Sequence, residues 1–217
     1  FIAHLRGAGI PHVVLNRKLA GERKGCGAVN IVSDDRSGAF RLVEYLVLSG
    51  HRRIALIEGM DGFQSAEERK AGYLEALRRY GIAVRSEYME KGRYDLESGY
   101  CAMRRLLERA RPTAVFCAND EMAVGAMKAA ADAGLRVPDD LSVAGFDDNG
   151  FSGYLSPALT TVRRPIEAIA RLGAQKLLEM IDRKAESPQP HGNSADRTLY
   201  LRTELVVRDS VRKLEAN

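Results

Sequence analysis

A chain of 217 residues that is 45% hydrophobic and 29% charged holds enough apolar side chains for one large core or two smaller ones. Its 33 basic and 29 acidic residues leave a formal charge of +4, and the two signs are interspersed, which describes a solvated surface and not a nucleic-acid footprint. No apolar run reaches the length of a membrane span, so no membrane partner is expected.

The chain opens on Phe1, Ile2 and Leu5, the apolar face of a helix over residues 1–8, and not on an initiator methionine. It is therefore read as part of a longer protein. A strand over 11–16 follows, then a Gly-rich basic loop from Leu19 to Gly27 and an extended run from Ala28 to Val32. Phe40, Leu42, Val43, Leu46 and Val47 recur at helical spacing, and Ser49 and Gly50 stop that helix. Strands over 54–57, 88–90, 114–117 and 143–146 alternate with helices over 66–80, 96–110 and 121–133, with short connections. Such alternation predicts an α/β fold, a parallel sheet with helices on both faces. After Gly150, the segment from Ser156 to Pro165 is an extended crossing bounded by prolines. A helix over 166–181, a polar tail over 186–196 and extended runs over 199–201 and 205–207 complete the chain.

Catalytic motifs are missing: no Gly-rich dinucleotide or phosphate loop, no nucleophile elbow and no HExxH are found, so no enzyme and no cofactor are expected. His4, His12, His51 and His191 lack metal-ligand spacing, and no metal site is expected. Cys26, Cys101 and Cys117 are odd in number and without a CxxC, as in a reduced, cytoplasmic protein.

Polar residues recur where the strands end. Asn16 follows Val13 to Leu15, Ser65 and Arg69 follow the strand over 54–57, Tyr94 follows 88–90, Asn119 follows 114–117 and Asp147 follows 143–146. In a parallel sheet the carboxyl ends of the strands converge on one crevice. The set suits a small polyol: Asp147 accepts from adjacent hydroxyls, Arg69 offers a planar fork, Asn119 does both and Tyr94 offers a stacking face. Each has a structural alternative. Asn119 and Asp147 also fit a helix cap or an Asx turn, and Arg69 fits a surface pair with Glu68 or Glu75. Tyr94 fits a core position, Asn16 a strand end, and Ser65 a capping box with Glu68.

Three stretches, CANDEMAVGAMKAAADAGLRVPDDLSV, GFDDN and SPALTTVRRP, together with RKAGY and ESGY, resemble the effector-binding core of the LacI/GalR family of bacterial transcription regulators over residues 10–210. The resemblance implies a two-lobed periplasmic-binding-protein-like fold whose N-terminal lobe is incomplete in this chain. Residues 1–33 and 161–190 fall to that lobe, and 34–160 and 196–210 to the C-terminal lobe, with crossings near Ser33, near Thr160 and before Leu199. It implies effector contacts at Arg69 of RKAGY, Asn119 of CAND and Asp147 of GFDDN, an aromatic contact at Tyr94 and a polar one at Ser65. Phe63 stands where purine-responsive members carry a polar or basic side chain, which argues for a sugar-like effector over a purine. Partners implied are operator DNA, through an N-terminal head outside this chain, and a second copy in a homodimer. The alternative is a periplasmic sugar-binding protein of a transporter. On either reading, replacing Arg69 or Asp147 by alanine is expected to abolish ligand binding and leave the fold near wild-type stability.

Overall fold

The computed structural model describes residues 1–17, 29–186 and 197–214. Cys26, His191, the basic loop over 19–27 and most of the polar tail over 186–196 lie outside the described residues. The chain forms two compact units, Phe1–Asp34 with Pro165–Arg202, and Asp35–Arg164 with Thr203–Asn217.

The first unit holds a short helix α1 (Ile2–Gly7), strands β1 (Val13–Leu15) and β2 (Val29–Ser33), and a long helix, Ile166–Glu186. Strand Arg197–Leu201 pairs parallel with β2 from Val29↔Arg197 to Ser33↔Leu201, giving a three-stranded sheet with β2 in the middle. Helix Ile166–Glu186 packs on β1 and β2, and Gly173 lets it come close, since a Cβ there would meet Leu15 Cδ2 at 2.8 Å.

The second unit alternates α2 (Asp35–Leu48), β3 (Ile54–Glu58), α3 (Gln64–Arg79), β4 (Met89–Lys91), α4 (Leu96–Arg109), β5 (Ala114–Cys117), α5 (Asp120–Asp132) and β6 (Ser142–Ala144). Its sheet is parallel in the order β4-β3-β5-β6. Side chains on a strand point alternately to opposite faces, and the core divides accordingly. Ala55, Ile57, Val115, Cys117 and Val143 pack with α4 and α5, whereas Ile54, Leu56, Ala114, Phe116 and Ala144 pack with α2 and α3. Because both faces are covered, β3 and β5 are buried at every position, and, apart from Glu58 at the end of β3, their sequences read as continuous apolar runs without alternation. Two helix crossings depend on glycine: a Cβ on Gly72 would collide with the carbonyl of Arg36 in α2, and one on Gly125 with the carbonyl of Leu96 in α4. These explain the small residue in RKAGY and in the helix after CAND.

The segment after β6 runs back beside it. Gly145 N donates to Thr160 O and Asp147 N to Val162 O, each at 2.9 Å, and the chain then forms β7 (Thr161–Arg163). The long helix Ile166–Glu186 is α6 and the strand Arg197–Leu201 is β8, and β9 (Glu204–Val206) pairs antiparallel with β7. Two divisions made from sequence therefore need correction. Residues 161–164 stay in the second unit, because β7 bonds to β9 and to the end of β6. Residues 197–202 belong to the first unit and not to the second, because β8 bonds to β2; the crossing falls between Arg202 and Thr203. No turn signal separates the two short extended runs there, so sequence alone groups them.

Candidate functional site

Arg69 lies in the second turn of α3, at the carboxyl end of the four-stranded sheet, and its side chain is 3% exposed. Nε donates to Asp35 Oδ2 at 3.0 Å, Nη2 to Asp147 Oδ1 at 3.0 Å, and Nη1 to the carbonyl of Ala118, one residue past β5. The guanidinium carbon sits 3.9 Å from the centroid of the Phe146 ring, within cation–π range. Arg164 adds an outer charge, 3.8 Å from Asp35 and 3.7 Å from Asp147. Two guanidinium groups and two carboxylates thus balance one another. Burial opposes the charge on Arg69, but Asp147 and Asp35 more than offset it, and the group is held above its ordinary value. Burial pushes the Asp147 carboxyl up, and Arg69 and Arg164 pull it only part of the way back.

Asp147 has φ of 111°, a left-handed conformation that costs an ordinary side chain of order 1 kcal/mol or more and that sites of function often hold. Its side chain makes no Asx turn. Oδ1 is clamped by Arg69, while among the described residues Oδ2 has no hydrogen-bond partner, and the side chain is 24% exposed. The next acid does different work: Asp148 pairs with Arg163 at 2.7 Å and Arg208 at 2.6 Å, tying the loop to the β7–β9 ribbon.

Tyr94 also has positive φ, 66°, in the loop before α4. Its hydroxyl is 3.2 Å from Ser65 Oγ, and its ring meets Phe63 edge-on with centroids 6.1 Å apart. Gly59, just past β3, allows this, since a Cβ there would occupy the place of the Tyr94 hydroxyl. Phe63 is 51% exposed, so the two rings form an aromatic wall open to solvent. Burial pushes the Tyr94 phenol up, which keeps it protonated and able to donate.

The sheet and α3 bring five of the six residues singled out from sequence, Ser65, Arg69, Tyr94, Asn119 and Asp147, to the carboxyl end of the second unit's sheet. Asn16 is elsewhere: it is exposed at the end of β1 in the first unit, with φ of 57° and its amide N donating to Ile31 O at 2.9 Å. Among the alternatives, the cap reading holds for Asn119. Its Oδ1 accepts from Met122 N and its Nδ2 donates to the Tyr94 carbonyl, each at 3.0 Å, so it starts α5 and holds the Tyr94 loop at once. The capping box of Ser65 and Glu68 does not form: Phe63 is the N-cap, without a side-chain bond, and Glu68 accepts from Gln64. Glu75 pairs with Arg36, not with Arg69.

The expectation that Arg69→Ala leaves the fold near wild-type stability sits poorly with burial: Arg69 is paired with Asp35, whose side chain is 5% exposed, so the substitution removes the larger part of a buried charge balance. Asp35, Arg164 and Asp120 were not singled out from sequence. Asp35 looks like an ordinary acid at a helix start, and only the tertiary contact reveals its partner. Asp120 is 0% exposed and accepts from Thr161 and Ser152 hydroxyls and from Asn149 N; burial raises its carboxyl to about 6. The ion pairs of Arg163 and Arg164 would have been sought had the charges of SPALTTVRRP been paired with GFDDN.

Among the described residues no group of three or more His, Cys, Asp and Glu is placed to hold a metal, and no helix is long and apolar enough to cross a membrane. Cys101 is exposed and Cys117 buried, both free, and burial raises the Cys117 thiol.

These features define a class: an α/β binding module of parallel sheets flanked by helices, with a charge-balanced polar cluster and an aromatic wall where the strands of one sheet end. The family model described as a periplasmic binding protein-like domain matches residues 43–211. The chain is 52% identical over 215 residues to the probable HTH-type transcriptional repressor ExuR of Bacillus subtilis (strain 168), covering 99% of this chain and 61% of that protein. Among solved structures it is similar to a sugar-binding LacI-family transcriptional regulator from Escherichia coli complexed with phosphate, at TM-score 0.83 and 31% identity, covering 98% of this chain and 73% of the other. It is similar too to the transcriptional regulator CelR in complex with cellobiose, at TM-score 0.84 and 33% identity, covering 95% and 60%. This chain belongs to the LacI family of transcription regulators, in its periplasmic-binding-protein-like core. It spans 52% to 61% of the length of the curated relatives it matches. These relatives are named as repressors and regulators and not as enzymes or transporter components, which sets the transport alternative aside.

Proposed function

We propose that the chain is the effector-binding core of a cytoplasmic transcriptional repressor, and that its effector is a small sugar or sugar derivative held at Asp147, Arg69, Tyr94 and Ser65. Asn119 contributes mainly by fixing the Tyr94 loop. What carries this reading is the state of Asp147: one oxygen is fixed on Arg69 and the other has no partner among the described residues, at the same end of the sheet as the exposed ring of Phe63. A carboxylate so oriented accepts from two neighbouring hydroxyls while the rings cover an apolar sugar face. The sugar named for one relative and the cellobiose bound to another support this choice.

Regulation requires that the effector bind one conformational state better than another, since a ligand of equal affinity shifts nothing. A coupling of about 1 to 3 kcal/mol changes operator affinity about 5- to 150-fold. In the full-length protein, operator DNA is bound by a helix-turn-helix head, paired in a homodimer across two half-sites.

Calorimetric titration of a panel of neutral and acidic mono- and disaccharides tests the site. One saccharide is expected to bind, and Asp147→Asn, which keeps the shape but removes the charge that accepts from hydroxyls, is expected to weaken it by at least about tenfold, a loss of about 1.4 kcal/mol. Equal binding by the variant rejects the site; a full-length protein whose operator complex ignores the bound saccharide rejects the regulatory role.

A further inference from the structure

A cavity lies at the other end of the same sheet. At the amino end of β3 this cavity of about 250 Å³ is lined by buried Ile54, Tyr73 and Leu77 and by half-buried Ile82 and Tyr88. Ile54 opens β3 and Glu58 closes it, and at about 3.3 Å per residue the strand separates its two ends by ~13 Å, so the cavity is distinct from the Arg69 cluster. The Tyr73 hydroxyl donates to Ile54 O at 2.9 Å, which fixes its ring at the cavity.

Exposed Ala83 and the arginines Arg52, Arg53 and Arg85 complete the lining. Arg52 Nη1 donates to Val47 O at 3.2 Å, in the last turn of α2, and Arg53 Nε donates to Arg111 O at 3.2 Å, just past α4. Carbonyls position these groups without neutralising them, because a helix carboxyl end carries about half a negative charge against the full charge of a guanidinium. Among the described residues neither Arg52 nor Arg53 has a carboxylate within ion-pair distance, and Arg85 has only Glu87 at 3.5 Å on the exposed rim. An apolar cavity with two tyrosine rings and an uncompensated arginine rim is matched by a ligand that brings the missing negative charge on an apolar body.

We propose that this cavity is a second ligand site, for a small organic anion with one oxyanion head, carboxylate or phosphate ester, on an apolar or aromatic body. Guanidinium groups match both heads with paired hydrogen bonds. The volume lies just below the range of about 300 to 1,000 Å³ usual for ligand pockets, which limits the body to about one ring.

The test is a titration of the whole chain followed by amide NMR shifts, with phenyl phosphate as the probe, inorganic phosphate as the charge-only control and phenol as the apolar control. Phenyl phosphate is expected to saturate at about 1 mM or below, with the shifts centred on residues 52–54 and 82–88. Each control should bind at least about tenfold more weakly. The double variant Arg52→Gln/Arg53→Gln, at exposed positions, should weaken the probe by at least about tenfold. Ala83→Trp, which fills the cavity from its exposed rim and leaves every charge in place, should abolish saturable binding; it decides the matter if the arginine variant does not fold. The proposal is overturned by no saturation, by inorganic phosphate matching the probe, by shifts centred on Arg69 and Asp147, or by undiminished binding in Ala83→Trp.

Discussion

Replacing Arg69 by methionine keeps helix propensity and most of the side-chain bulk while removing the charge between Asp35 and Asp147. Three donated bonds disappear, to Asp35, Asp147 and the Ala118 carbonyl, along with the contact over Phe146. Asp35 then keeps a carboxylate that is 5% exposed with its nearest guanidinium gone. Removing one partner of a buried ion pair costs about 3 to 5 kcal/mol. Arg164 remains, 3.8 Å from Asp35, which puts the loss at the lower end, about 3 kcal/mol. With a urea m-value of about 2 kcal/mol/M, the unfolding midpoint should fall by about 1.5 M. Adding Asp35→Asn to the variant removes the charge that Arg69 had balanced and should return at least half of that shift. A midpoint within about 0.3 M of wild type, or a double variant no more stable than the single one, would refute the view that a buried charge balance holds this end of the sheet.

Asp120 supplies a pH signature. Its folded value is about 6 against 3.8 for the free side chain, so the folded state holds more protons between those values. Stability from this group is therefore present below pH 3.8 and lost as pH rises through about 6. The rise from 3.8 to about 6 corresponds to about 3 kcal/mol. His51 acts in the opposite sense: burial lowers it below 6.5, so its contribution is lost on acidification. The readout is accordingly the difference between wild type and Asp120→Asn, which should favour wild type progressively from pH 7 to pH 4.5 in urea titrations; a pH-independent difference would contradict it. Gly125→Ala places a methyl group against the Leu96 carbonyl and 2.7 Å from Tyr100 N, and should cost about 1 to 3 kcal/mol by thermal unfolding. Asn119→Ala removes the α5 cap and the bond to the Tyr94 carbonyl, and should cost about 1 to 2 kcal/mol together with weakened saccharide binding in calorimetry.

Sequence by itself determined the order and type of the elements in the second unit, because β3 and β5 are apolar on both faces and their helices carry their own stops, Gly50, Gly81 and Gly134, each with positive φ. It also determined which residues stand at the carboxyl ends of those strands, since parallel order alone sends Arg69, Asn119 and Asp147 to one end. Only the tertiary structure decided what each does there. Whether Asn119, beyond capping its own helix, also holds the Tyr94 loop, and whether Arg69 is a surface cation or the centre of a buried ion cluster, depends on partners 25 to 78 residues away in sequence. The same holds for the tail, where two short extended runs, alike in local pattern, go to different sheets because β8 meets β2 and β9 meets β7. Local chemistry encodes an element and the end of a strand; a buried charge acquires its role from the opposite charge that the fold brings to it.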